Sequence, residues 1–336
     1  MRGELDLAQR FDEDLLRLSH RRNDAAGLIM GHYSSGRTLL LLGRFASSRS
    51  HLEEGFALYD PSCHSSLVRE VGTHLHIGLQ AFSAIVLFCL GFADQALARS
   101  CAAIAEARRL AHLPSLAANL VTGARLLSLY GNNVVLGEWA DELAGLAVEQ
   151  GFPQWGAFGT LFRGWVKVEN GDVAEGMSLL RSGLAAYRAT GAETWTPYNN
   201  ALLARACDTA GQVKAALTLL GEALHTVERT GERWFLAELN RHKGQLLLRQ
   251  GHSEAAEKLY RKALNIAREQ EAKLWELRAA VSLSRLRRNQ GRRAEARDLL
   301  APVYGWFTEG FDTPDLKQAK ALLDELAAPF ARTFGV

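Results

Sequence analysis

A glycine that returns every 40 residues constrains this chain more than any other feature. Gly91, Gly131, Gly171, Gly211, Gly251 and Gly291 stand 40 residues apart, as do Gly3 and Gly43, while the step from Gly43 to Gly91 is 48. Other columns keep the same register, which separates a repeat from scattered glycines. Seven residues before the glycines stand Gly36, Ala84, Ala124, Gly164, Ala204, Gly244 and Ser284. Five residues after them stand Ala8, Ser48, Ala96, Leu136, Gly176, Ala216, Ala256 and Ala296, all small except Leu136. Two antiparallel helices approach closely only where side chains are small, and larger residues one turn away fill the groove between them. The glycine ends the first helix because it enters the left-handed region without steric cost. Hairpins stacked in this way let 336 residues fold without the division that a single core would require.

The pattern of small residue, turn glycine, Ala at five and Leu or Tyr at nine resembles the tetratricopeptide (TPR) repeat. Gly244, Leu247, Gly251, Ala256, Tyr260 and Ala263 are the best single match. The 40-residue unit exceeds the roughly 34 of the standard repeat, and HEAT-like helix pairs share the longer period. The expected fold is all-α: a TPR-like α–α superhelix, one solenoid over residues 1–336. About seven helix pairs are expected at 24–312, behind an orphan second helix at 4–21 and ahead of a capping helix at 314–328. By register the chain starts mid-repeat, so it is expected to be a fragment or to have lost its start. Pro61 should end the first pair, in the segment that holds the eight-residue surplus, and Pro302 should end or kink the last pair. Thr313-Pro314 should start the final helix as cap and first helical residue. Asp94, Asp172 and Ser253 are further expected caps. Gly151, Gly191 and Gly231 form a second column 40 apart. Trp155, Trp195, Trp234 and Trp275 follow that column and should pack where one repeat joins the next.

Thirty-nine basic residues against 37 acidic ones give a net charge of +2. That balance argues against a dedicated nucleic-acid or membrane-surface binder. Cys63, Cys89, Cys101 and Cys207 show no paired spacing. Reduced, mostly buried thiols in a cytoplasmic protein are expected. The start, Met1-Arg2-Gly3-Glu4-Leu5, carries no signal-peptide pattern. The longest apolar run, Ile77 to Phe92, contains Gln80. It falls below the ~18 apolar residues of a membrane span. It stands where a first helix belongs, so it should be buried.

Two stretches imitate chemistry. Gly31 to Thr38 is one substitution from a phosphate-binding loop, with Arg37 in the lysine's place. Such a loop needs a preceding strand, and here Gly36 belongs to the small-residue column of a helix. His74-Leu75-His76, with Cys63 and His64 nearby, matches no structural zinc spacing, and helical neighbours two apart point to different faces. No nucleophile–base constellation appears. No enzyme, metal or cofactor is expected.

Stacked first helices line the concave side of such an array. Six residues before the glycines stand Arg37, Ile85, Arg125, Trp165, Arg205, Gln245 and Arg285, and flanking columns add Tyr198, Glu238, Arg241 and Arg278. The candidate ligand strip is Arg125, Trp165, Tyr198, Arg205, Arg241, Gln245 and Arg285. Arginine holds carboxylates through paired hydrogen bonds, and aromatic rings supply flat apolar area. The partner expected is a protein or peptide, an acidic one, or a carboxylate-bearing effector.

A wider resemblance rests on Gly43-Arg44-Phe45, the run from Leu52 to Pro61, Glu149 to Pro153, Thr230 to Trp234, and Trp306 to Leu316. These look like the C-terminal TPR region of large bacterial signalling proteins. In that family a class III adenylate/guanylate cyclase domain or a DNA-binding regulator domain precedes an NTPase module and the array. The cyclase and NTPase motifs have no counterpart in this chain. The resemblance implies a non-catalytic interaction or effector-sensing module separated from its output domain. The other reading is a free-standing scaffold that homodimerises through the Leu and Phe stripe of residues 5–18.

Overall fold

The computed structural model describes residues 3–60, 68, 72 and 74–328. Pro61, Cys63 and His64 lie outside the described residues, and with them the expected helix stop at Pro61. Among the described residues there are sixteen helices and no strand. An unpaired α1 (Leu5–Arg22) comes first. Seven antiparallel pairs follow: α2 (Ala25–Leu41) with α3 (Phe45–Ala57), α4 (Leu75–Leu90) with α5 (Ala93–Arg109), α6 (Leu113–Tyr130) with α7 (Asn133–Gln150), α8 (Pro153–Glu169) with α9 (Val173–Ala189), α10 (Thr196–Thr209) with α11 (Val213–Thr230), α12 (Leu236–Arg249) with α13 (Ser253–Glu269), and α14 (Lys273–Asn289) with α15 (Arg293–Tyr304). The last helix is α16 (Pro314–Ala327). The chain is a TPR-like α-solenoid.

The turn glycine acts as its period requires. At Gly211 φ is 73°, and the Gln212 N–H reaches back to the Cys207 carbonyl at 2.8 Å, the bond that satisfies an orphan carbonyl at a helix end. The small columns set the spacing within pairs. A Cβ on Gly164 would lie 2.8 Å from the Gly176 carbonyl and 2.8 Å from the Leu180 amide, both rigid backbone. Where serine takes the small position, its hydroxyl stitches the pair. Ser48 Oγ donates to the Gly36 carbonyl at 2.6 Å, and Ser284 Oγ donates to the Ala296 carbonyl at 3.0 Å. The same two columns exchange roles at opposite ends of the array.

The second column of breakers extends beyond its glycines. Ala111 (φ 51°) and Glu271 (φ 55°) occupy the same 40-residue positions as Gly151, Gly191 and Gly231, and adopt the left-handed conformation without being glycine. The tryptophans join repeats. Trp195 and Trp234 meet edge to face at 5.1 Å, and the Trp275 Nε1 donates to the Trp234 carbonyl at 3.1 Å. All three are buried, whereas Trp155 is half-buried against Phe152.

Successive turns of the superhelix touch. The Arg233 and Trp234 amides donate to the Leu41 carbonyl at 2.7 and 3.1 Å. Glu309 accepts from the Asp94 and Gln95 amides at 3.0 and 3.1 Å. The Phe88 ring stands 6.2 Å from Trp275. The C-terminal half of helix α4 is therefore enclosed on all sides, in keeping with its apolar sequence; Ile85, Val86, Phe88 and Cys89 have no accessible surface.

Three details differ from expectation. Asp94 does not cap α5, whose cap position is Phe92; the Asp94 carboxylate instead accepts from the Gly310 amide across the turn contact. Asp172 occupies the cap position of α9 but makes no capping bond, and Ser253 is already the first helical residue of α13. The tight glycine turn leaves Asp172 at ψ 66°, short of the extended geometry that aims a cap oxygen at the helix amides. Thr313, at ψ 148°, has that geometry and does accept from the Leu316 amide. Where mostly buried thiols are expected, Cys101 is exposed, while Cys89 and Cys207 are buried. Pro302 lies in the last turn of α15, which ends at Tyr304 after 12 residues. No helix of the described residues is long and apolar enough to cross a membrane.

Candidate functional site

The winding of the array divides its inner side into two cavities. The larger, about 410 Å³, lies towards the C-terminal end between α6, α10, α12, α14 and α16. Five of the seven candidate residues line it: Tyr198, Arg205, Arg241, Gln245 and Arg285. Trp165 does not reach it. Its ring is buried and serves as a floor for the Arg205 guanidinium, 4.3 Å above it. Arg125 lines the second cavity, about 220 Å³, bounded by α2, α4, α6, α8 and the turn that leads into α10. The expected continuous strip is thus interrupted. Tyr198 lines one cavity, and its ring lies 5.6 Å from the Arg125 guanidinium that lines the other. The Tyr198 hydroxyl shares a short hydrogen bond with Ser128 Oγ. Burial pushes that hydroxyl up to about 12, so it stays protonated.

Charge in the C-terminal cavity is nearly balanced: Arg205, Arg241, Arg278 and Arg285 against Glu169, Glu238 and Asp315. Arg241 grips the buried Glu238 carboxylate through Nε and Nη2 at 2.5 and 2.8 Å. Arg278, whose register position sequence reasoning had noted without placing it in the strip, is the hub. It donates to both Asp315 oxygens at 2.8 Å, to Glu238 Oε2 at 3.2 Å and to the Leu129 carbonyl at 2.7 Å. It thereby ties α6, α12, α14 and α16 together. Burial alone would raise the Glu238 carboxyl, but Arg241 and Arg278 reverse that and hold it well below the carboxylate range. Burial and the same arginines keep His242 neutral. Two arginines remain without a strong partner. Arg205 stands 3.6 Å from Glu169, and Arg285 contacts Gln318 Oε1 at 3.2 Å. Desolvation lowers both, and neighbouring arginines lower them further. The lip of this cavity therefore carries one more positive charge than negative, with Arg205 loosely paired to Glu169 and Arg285 facing an amide.

The N-terminal cavity has a different character. Arg37 and Arg125 line it together with Tyr33, Phe82, Trp155, Phe158 and Trp195, and among the described residues no carboxylate does. Arg125 is 1% exposed. Its guanidinium stacks 3.8 Å above the Trp195 ring and 5.3 Å from Phe158. Nε and Nη2 are buried without a hydrogen-bond partner among the described residues. Desolvation pulls Arg125 down to about 10, so it is still charged near neutrality. The nearest opposite charge is Glu232, a buried carboxyl that accepts from the Trp195 amide at 2.9 and 3.0 Å and from the Trp234 Nε1 at 3.1 Å. Burial raises Glu232 to about 7, so it supplies only part of a charge. Trp195 itself sits at φ 69°, an outlier for a bulky residue that the surroundings must hold in place.

No family model matches the chain. An uncharacterised protein of Rhizobium meliloti (strain 1021) is 29% identical over 250 residues, covering 73% of this chain and 24% of that protein. The chain thus spans about a quarter of the length of the curated relative it matches. Among solved structures, the APC/C hetero-tetramer Cut9–Hcn1 superposes with a TM-score of 0.56 at 12% identity, over 97% of this chain and 53% of that one. A Rap protein complexed with competence and sporulation factor gives 0.55 at 13% identity, over 97% and 98% of the two chains. The apo form of RapI gives 0.51 at 10% identity, over 88% and 99%. At these identities the likeness is one of fold, a helical-repeat superhelix that the chain shares over nearly its full length.

Proposed function

We propose that the chain is a non-catalytic protein-interaction module that takes an acidic peptide segment at the lip of the C-terminal cavity. The observation that carries this is the pair Arg205 and Arg285, presented with Gln245 above a floor of buried ion pairs and left without strong partners. Arginine favours carboxylates through two parallel hydrogen bonds, and the buried network beneath, anchored by Arg278, holds the lip rigid so that less ordering is needed on binding. That a Rap protein of this fold was solved in complex with competence and sporulation factor supports a binding role for the array. The resemblance to bacterial cyclase and NTPase signalling proteins supports a sensory role within such a system, and a relative four times the matched length leaves room for output domains on one chain.

Fluorescence anisotropy with labelled Glu/Asp-rich and Lys-rich peptides tests the reading. The acidic peptide should bind, weakening with added salt, and the Arg205→Ala/Arg285→Ala variant should bind it at least about tenfold less tightly. Unchanged affinity in that variant, or equal binding of the Lys-rich peptide, overturns it.

One surface supports a second reading as a self-associating scaffold. On α1, Leu7, Phe11 and Leu18 are 43%, 63% and 45% exposed, and the Leu7→Asp/Phe11→Asp variant should then be monomeric by light scattering at concentrations where the parent is a dimer. A parent that stays monomeric at high concentration removes this reading.

A further inference from the structure

The N-terminal cavity has the makings of a second, separate binding site. Its chemistry is unusual for a buried space. A charged side chain in a protein interior is normally paired, because an unpaired charge forfeits its hydration without recompense. Arg125 is buried and has two donor nitrogens, Nε and Nη2, without a hydrogen-bond partner among the described residues. Among the described residues the lining offers it aromatic faces and a second arginine, Arg37, but no acid. Asn119, on the same helix, donates to the Ser115 carbonyl through Nδ2 at 2.7 Å, and its Oδ1 is buried without a partner. That bond fixes the orientation of the amide, leaving an unused acceptor beside the cavity as well as unused donors. Six residues separate Asn119 from Arg125, about 9 Å along a helix axis, the span of one substituted ring and its hydrogen bonds. The strained backbone at Trp195 holds the indole against Arg125, and backbone strain tends to collect at sites that grip a ligand. At about 220 Å³ the space lies below the ~300–1,000 Å³ of drug-sized pockets, so it suits a one-ring molecule.

We propose that the N-terminal cavity binds a small aromatic carboxylic acid, with its carboxylate on Arg125, its ring among Trp195, Phe158 and Phe82, and a hydrogen-bond donor on Asn119 Oδ1. The site is distinct from the peptide lip and stands whether or not an acidic peptide binds there. In this arrangement the ligand supplies the counter-charge that Glu232 provides only in part, and its ring completes the stack on which Arg125 already lies.

The test uses the full chain and 4-hydroxybenzoate, with 4-hydroxybenzamide as its uncharged counterpart. Tryptophan fluorescence and thermal unfolding are followed during titration. The acid should quench fluorescence saturably and raise Tm, and the amide should do so at least tenfold more weakly. Arg125→Met should abolish the response to the acid. Asn119→Leu should keep a response to benzoate and lose the preference for the 4-hydroxy compound, which decides the matter even if Arg125→Met folds poorly. Arg205→Ala/Arg285→Ala should respond like the parent chain. No saturable response to the acid, an equal response to the amide, retention of the response in Arg125→Met, a 4-hydroxy preference untouched in Asn119→Leu, or loss of the response in the Arg205/Arg285 variant would each overturn the proposal.

Discussion

The two cavities on the inner side of the superhelix are built from the same register positions, yet they solve the problem of a buried arginine in opposite ways. At the C-terminal end Arg278 and Arg241 share Glu238, Arg278 also holds Asp315, and a main-chain carbonyl takes a remaining donor. At the N-terminal end Arg125 is buried more completely and has aromatic rings around it in place of carboxylates. The two glutamates record the contrast. Glu238, beside two arginines, is held well below the ordinary carboxylate range, and Glu232, held by one main-chain amide and one indole N–H, is raised to about 7. Burial pushes both in the same direction, and the number of cations within reach decides which way each ends up. A satisfied network fixes structure; an unsatisfied one leaves hydrogen-bonding capacity for something else.

The largest effect should come from breaking the satisfied side. Arg278→Met leaves Glu238 and Asp315 with fewer partners and cuts the tie between α6, α12, α14 and α16. Removing one partner of a buried network costs ~3–5 kcal/mol, which urea unfolding should show as an earlier midpoint.

The next effect is in pH. The Glu232 carboxyl has its folded value raised to about 7 from an ordinary 4.5. Between those values the folded chain holds a proton that the unfolded chain has lost, so stability contributed by the protonated form falls as pH rises from about 4.5 to about 7. The loss is at most ~3 kcal/mol at about 1.4 kcal/mol per pH unit, and Glu232→Gln should remove this part of the pH dependence. Glu238 has the opposite sign: its contribution is present above the ordinary carboxylate value and is lost only as pH falls through its depressed folded value. Unfolding midpoints between pH 4 and pH 8 for Glu232→Gln and the parent chain check the first; a parallel pair of curves would show that Glu232 is not the titrating group.

The smallest effects are in the turns between repeats. Ala111 and Glu271 pay for a left-handed backbone that glycine adopts freely. Ala111→Gly and Glu271→Gly should leave stability unchanged or raise it by up to ~1 kcal/mol, where glycine in a helix interior would cost about that much. A measured loss of ~1 kcal/mol or more at either turn would show that the conformation is not strained there.

The periodic part of this architecture is legible in the chain. The glycine column, the small columns and the Thr313-Pro314 start signal each predict a local contact, and each is made between residues close in sequence. The same arithmetic reaches Ala111 and Glu271, which sit 40 residues from Gly151 and Gly231, although glycine was the only residue the pattern had marked. What register could not convey is the contact between turns. Residues as far apart as Leu41 and Arg233, or Asp94 and Glu309, meet because small rotations add up over several repeats. That closure covers α4 and with it Ile85, whereas Arg125 and Trp165 in the same column are buried against the repeats that follow them and Arg285 stays exposed. One sign of it was present: the run from Ile77 to Phe92 is apolar on every face, more than a helix with one open side requires. The five candidate residues of the larger cavity share a register face, so they were findable; the division at Tyr198 and the hub role of Arg278 depend on partners from α4, α6 and α16 that periodicity does not pair.

The central claim is that Arg278 is a charge the fold has neutralised and Arg125 is one it has not. Urea unfolding of Arg278→Met and Arg125→Met, side by side without added ligand, tests it most directly. The account predicts a loss of ~3–5 kcal/mol for Arg278→Met and a change of no more than about 1 kcal/mol, in either direction, for Arg125→Met, because replacing an uncompensated buried charge by an apolar side chain of similar length is often neutral or stabilising. Equal losses in the two variants would contradict it, since Arg125 would then be as well partnered as Arg278.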